Sequence, residues 1–136
     1  MSEVIVAAAR TWLGTPYRHR ASVQGAGCDC LGLLRGVWRA LYGAEPEAVP
    51  PYRADGRDAG DALVAGVARW LLPATGPAAG QVVLFRLGRQ TAPRHCGILV
   101  SATRFVHAQE RLGVVEANLT EGWARRIAAR FEFPPV

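Results

Sequence analysis

Three cysteines and three histidines carry the nucleophilic and proton-transfer chemistry open to this 136-residue chain. Two of the cysteines fall in Gly27-Cys28-Asp29-Cys30-Leu31-Gly32, which runs straight into an apolar-periodic segment from Leu33 to Tyr42. A cysteine where a loop becomes a helix is placed to react. The unpaired N–H groups and partial positive charge of a helix N-terminus both stabilise a thiolate. Such sites lower a thiol pKa from about 8.5 into the range of roughly 3.5–7.5. Position alone leaves Cys28 and Cys30 as rivals; with Cys30 as the first helical residue, the chemistry implied is covalent catalysis. A thiolate nucleophile then needs a base to manage its proton and a third group to orient that base. His95 opens the segment His95-Cys96-Gly97-Ile98, and His107 follows in Phe105-Val106-His107-Ala108. On neighbouring antiparallel strands these two side chains fall on one sheet face, and a helix docked against that face would bring Cys30 into reach.

The other conspicuous residues have structural readings. Three cysteines cannot complete a disulfide framework, and the spacing of Cys28 and Cys30 strains a bridge between them. Cys28, Cys30, Cys96 and His95 lack the paired spacings of a zinc site, so no metal is expected. Cys28 reads as a small packed side chain, and strand alternation turns Cys96 away from His95 into the core. Asp29 suits a helix N-cap, because a carboxylate beside a thiolate opposes its ionisation. His19 lies in a loop near the site. Trp12, Trp38, Trp70 and Trp123 read as core anchors.

Size and composition narrow the classes. The chain is long enough for one domain, residues 1–136, with a core that needs no disulfide or metal. Half its residues are apolar and a fifth are charged, which excludes a disordered chain. The formal charge of +5 is the balance of 16 basic residues, all arginine, against 11 acidic ones. They are scattered, only Arg125 and Arg126 are adjacent, and a coding preference accounts for them; a nucleic-acid surface is not supported. Apolar runs fall far short of the ~20 residues of a membrane span. Residues 1–13 lack the basic start and longer apolar run of a secretory signal, so no export address is expected.

Periodicity predicts helices over residues 2–13 with Ser2 as N-cap, over 30–42 stopped by Gly43, and over 58–72 closed by Pro73. Residues 18–29 and 44–57 read as loops. Short segments rich in Val, Ile, Leu and Phe predict strands over 81–87, 95–101, 104–109, 112–118 and 128–133. Helices followed by a strand meander mean an α+β fold, N-terminal helices packed on an antiparallel sheet.

Several of these segments carry a resemblance. Gly14-Thr15-Pro16-Tyr17-Arg18, Asp29-Cys30-Leu31-Gly32-Leu33, Gly80-Gln81-Val82-Val83-Leu84-Phe85, His95-Cys96-Gly97-Ile98 and Phe105-Val106-His107-Ala108, in that order, resemble the NlpC family of papain-like cell-wall cysteine peptidases. The likeness spans nearly the whole chain and is greatest to the short branch encoded with phage tails and gene transfer particles. It implies Cys30 as nucleophile, His95 as general base and acid, and His107 as the polar member that holds the imidazole. It implies Tyr17 at the oxyanion site or groove, with the Cys30 N–H as the other oxyanion donor. The implied substrate is a peptidoglycan stem peptide, cut between the γ-carboxyl of D-glutamate and the diamino acid, with no cofactor and with tail hub or baseplate proteins as partners. An amidase or acyltransferase on the same triad, or a structural tail component with weak activity, are the other readings. Two features depart from the family: Leu31 stands where members usually carry serine, and His19-Arg20-Ala21 replaces the glycine pair common after the Pro-Tyr motif.

Overall fold

The computed structural model describes residues 1–49, 60–88 and 92–136. The expected loop over 44–57 lies partly outside these residues, and the expected helix start at Asp58 wholly outside them. Helix α1 (Ser2–Arg10) buries Ile5 and Ala9. It is shorter than its periodicity predicts, and Met1 rather than Ser2 holds the N-cap position, with no side-chain bond. Tertiary pairing ends it: Gly14 N donates to Val114 O and Val114 N to Thr15 O, drawing the chain out of the helix into a sheet-like contact.

The loop expected over 18–29 contains a two-stranded ribbon, β1 (Ser22–Val23) and β2 (Gly27–Cys28). Helix α2 (Cys30–Tyr42) runs as predicted and stops at Gly43. It buries Leu33, Leu34 and Val37, each side chain contributing about 1.5–3 kcal/mol of apolar burial. Helix α3 (Gly60–Trp70) leads into a short strand β3 (Leu72–Pro73). Of the tryptophans, Trp12 is buried at 4 % exposure, whereas Trp70 is exposed and donates to Glu47, so it is not a core anchor.

Strands β4 (Val82–Phe85), β5 (His95–Leu99), β6 (Arg104–Gln109) and β7 (Gly113–Asn118) form the expected meander. A five-residue helix α4 (Glu121–Arg125), unforeseen in the sequence, precedes β8 (Ile127–Glu132). The sheet order is β3-β8-β4-β5-β6-β7, antiparallel throughout. The chain is therefore α+β, with the sheet between two apolar clusters. On one face Val82, Leu84, Cys96, Ile98 and Val106 pack with α1 and α2. On the other, Val83, Phe85, Leu99 and Phe105 pack with Trp123 and Ile127.

Candidate active site

The α2 start is built around one buried carboxylate. Asp29 is 3 % exposed, and its Oδ1 accepts from Gly32 N at 2.8 Å, which is the N-cap bond its position predicts. Its Oδ2 accepts from Arg20 N at 2.8 Å, and His19 Nδ1 lies 3.9 Å from the same oxygen. Arg20 holds a left-handed backbone (φ 65°), and Asp29 fixes it there. Gly32 is required sterically: a β-carbon would come 1.9 Å from the carbonyl oxygen of Ala21. The segment His19-Arg20-Ala21 is thus clamped against the first turn of α2, with Cys30 as its first residue.

The two histidines sit on neighbouring strands. Phe85 faces His95 across β4 and β5, and Ile98 and Leu99 face Val106 and Phe105 across β5 and β6. His95 Nε2 and His107 Nδ1 are 2.8 Å apart. His95 is 9 % exposed and His107 1 %. Phe85 stacks on His95 at 5.9 Å between centroids and Phe105 lies 4.5 Å from His107, while Trp123 meets both imidazoles at 6.0 and 5.3 Å. Burial, and then the charge of His95, push the His107 pKa down to about 4, so its ring is neutral at pH 7.

One expectation is corrected here. The histidines share the face of Phe85 and Phe105, whereas α2 packs on the opposite face, that of Cys96 and Ile98. Cys30 meets His95 because His95 is the first residue of β5, at the end of the strand, where its imidazole reaches the thiol. Cys96 does point into the α2-side core, as alternation predicts, but that core ends at the nucleophile candidate: Cys96 Sγ donates to the Cys30 carbonyl at 3.3 Å.

The two rival thiols separate on electrostatics. Hydrogen bonding from the Cys96 thiol, then from His95 together with its charge, holds Cys30 well below the ordinary thiol range, against burial and the charge of Asp29. Burial, with Asp29 and Cys30 adding, pushes Cys28 up to about 12. The interaction with Cys30, and then burial, push Cys96 well up. Tyr17 is half-buried, bridged through its backbone to Cys28, and burial followed by the charge of Cys30 raises its hydroxyl to about 12. It stays a hydrogen-bond donor near Cys30. All three cysteines are free thiols, and among the described residues no three His, Cys, Asp or Glu side chains converge to hold a metal. The site thus combines a low-pKa thiol, an imidazole beside it, a neutral imidazole behind that, and a phenol donor.

Two further residues touch this constellation, Cys96 and Trp123. Strand alternation places Cys96 in the core, and the one sequence signal for its contact with Cys30 is its adjacency to His95. Trp123 reads as a core anchor, and nothing in its neighbouring sequence announces its contact with the histidines.

Comparison with known proteins agrees with this arrangement. The pattern that defines the NlpC/P60 family matches residues 14–131. The chain belongs to the NlpC/P60 family. Among curated proteins it is 29 % identical over 126 residues to the murein DD-endopeptidase MepS/murein LD-carboxypeptidase of Escherichia coli. That match covers 88 % of the chain and 59 % of the relative, so the chain spans about three-fifths of that protein's length. Among solved structures, an NlpC/P60 family protein from Bacillus cereus aligns with a TM-score of 0.72 at 17 % identity, covering 99 % of this chain and 41 % of that one. The NlpC/P60 domain of the peptidoglycan hydrolase SagA aligns with a TM-score of 0.65 at 19 % identity, covering 98 % and 99 %. These likenesses give the NlpC/P60 domain the α+β, papain-like fold expected from its motifs. Among the described residues no helix is long and apolar enough to cross a membrane.

Proposed function

We propose that this chain is a cysteine peptidase that hydrolyses peptidoglycan stem peptides by acyl transfer through Cys30. The observation that carries the reading is the 2.8 Å hydrogen bond between His95 Nε2 and His107 Nδ1, set beside a low-pKa thiol. Once His95 takes the Cys30 proton both of its ring nitrogens carry hydrogen, so the neutral His107 accepts from the His95 Nε2–H through Nδ1. His95 Nδ1 is left to manage the Cys30 proton.

The steps follow from this pairing. The proton passes from Cys30 Sγ to His95, and the thiolate attacks the carbonyl carbon of the scissile amide. The oxyanion develops beside the Cys30 backbone N–H, which as the first helical N–H has no intrahelical acceptor, and the Tyr17 hydroxyl. His95 protonates the departing amine, then takes a proton from water as that water attacks the thioester, and Cys30 leaves as thiolate. His107 holds the ring in register through both steps.

The bond between the γ-carboxyl of D-glutamate and the diamino acid is the cleavage site that the motif resemblance favours. The name of the E. coli relative favours a second reading, DD-endopeptidase or LD-carboxypeptidase cleavage. Delivery by a phage-like tail rests on the same motif resemblance, and co-purification with a tail hub protein tests it. The decisive experiment incubates purified protein with peptidoglycan and defined muropeptides and identifies the products by mass spectrometry. Cleavage is expected to vanish in Cys30→Ala; a Cys30→Ala protein as active as the parent overturns the mechanism, and the product masses choose between the bonds.

A further inference from the structure

The acyl-transfer steps make no covalent use of Cys96, yet this residue lies against the nucleophile. Its Sγ donates to the Cys30 carbonyl at 3.3 Å, and the thiol lies close enough to that of Cys30 to shift its ionisation. It is 2 % exposed, inside the α2-side core, whereas Cys30 is only part-buried. An oxidant arriving from solvent therefore meets Cys30 first. Cys96 reaches Cys30 from the sheet face opposite the histidines, so the two sulfurs can join without displacing the His95–His107 pair. Cys28 is the poorer partner, because a bridge across one intervening residue strains the disulfide geometry.

We propose that Cys30 and Cys96 form a redox modification site, in which hydrogen peroxide converts them to a disulfide that reversibly blocks the nucleophile. The Cys30 thiolate attacks one peroxide oxygen and the O–O bond breaks. The second oxygen leaves as hydroxide, which takes a proton and becomes water. Sulfur is oxidised by two electrons to the sulfenic acid, and peroxide is reduced. The Cys96 sulfur then attacks the Cys30 sulfur: the S–S bond forms, the S–OH bond breaks, and the departing hydroxide takes the Cys96 proton as a second water. Oxidation stops there, because no free Cys30 sulfur remains to be carried on to the irreversible sulfinic acid.

The proposal rests on Cys30 as the reactive thiol of the proposed peptidase, but its test does not need the peptidase activity. The whole chain is treated with hydrogen peroxide, free thiols are alkylated, and the protein is cleaved after arginine and before aspartate. Cleavage before Asp29 parts Cys28 from Cys30, and Cys96 travels in the peptide 95–104. The expected result is an intact mass lower by two hydrogens, a cross-link joining the Cys30 peptide to peptide 95–104, and full return of both thiols with dithiothreitol. In Cys96→Ser, Cys30 is expected to proceed to sulfinic acid that dithiothreitol does not reverse. Sulfinic Cys30 in the parent protein with Cys96 still free, or a cross-link to Cys28, overturns the proposal. The parent protein's peptide map decides this even if the serine variant fails to fold. A cross-link in a protein that cleaves no muropeptide would refute the peptidase reading and leave the redox site standing.

Discussion

His95 Nε2 and His107 Nδ1 are joined by a 2.8 Å hydrogen bond on the sheet face that α2 does not cover. In the mechanism proposed above, His107 has one task, to accept from a ring whose other nitrogen serves Cys30. His107→Ala is expected to lower kcat on the order of 10²-fold, with KM nearly unchanged, since orientation rather than substrate binding is lost. His107→Asn keeps a carbonyl acceptor and is expected to retain more of the rate. Initial rates on a defined muropeptide decide it; equal losses in both variants would mean that the acceptor is not what His107 supplies.

The same burial makes stability depend on pH through His107. Its pKa falls from an unfolded value of 6.5 to about 4. Between these values the unfolded state binds the proton and the folded state does not, so stability rises with pH across this window. The contribution is complete above pH 6.5 and is lost as pH falls toward 4, amounting to about 3 kcal/mol at 1.36 kcal/mol per unit. Urea unfolding at pH 7 and pH 4 is expected to show this loss in the parent and a loss smaller by that amount in His107→Asn. An identical pH slope in the two proteins would contradict it.

Gly97 keeps the space into which the histidine pair fits. A β-carbon there would lie 2.9 Å from Phe105 Cδ2, 3.2 Å from the Val106 carbonyl and 3.4 Å from His107 Cβ. Gly97→Ala is expected to destabilise by about 1–3 kcal/mol through overpacking, and to lower kcat by moving β6 and His107 away from His95. Denaturant midpoints and rates measured on the same samples test both halves. Unchanged stability would mean that the two strands part at no cost.

How much of this was legible in the sequence depends on what each feature left in the pattern. Helix α2 was fully legible, because Leu33, Leu34 and Val37 repeat at helical spacing between an Asp29 cap and a Gly43 stop. The convergence of Cys30, His95 and His107 in space was legible too, from their types, their order and the motifs around them. The face on which α2 docks was not: β4 and β5 are buried on both sides, so their alternation carries no polar face to tell core from surface. The two-residue strands β1 and β2 are too short for any period, and α4 is a single capped turn. The Cys30–Cys96 contact joins residues 66 positions apart and leaves no local trace.

Trp123 is the residue whose role the fold alone reveals. It sits on the one α4 turn, with Phe85 at 5.0 Å, Phe105 at 5.4 Å, both histidines in contact and Arg126 over its ring at 5.4 Å. It covers the histidine pair from the side away from α2, so removing the ring admits water to His107. Desolvation is the main cause of the low His107 pKa, and Trp123→Ala is expected to raise it toward 6.5. A protonated His107 cannot accept from His95 Nε2, so the acidic limb of the kcat profile should move to higher pH. Trp123→Phe keeps an apolar cover and is expected to hold the parent profile. The alanine variant should also lose roughly 1–3 kcal/mol of stability, as a large side chain leaves a partly buried site. The pH profile separates positioning from mere support: lower stability with an unmoved acidic limb would assign Trp123 to packing alone.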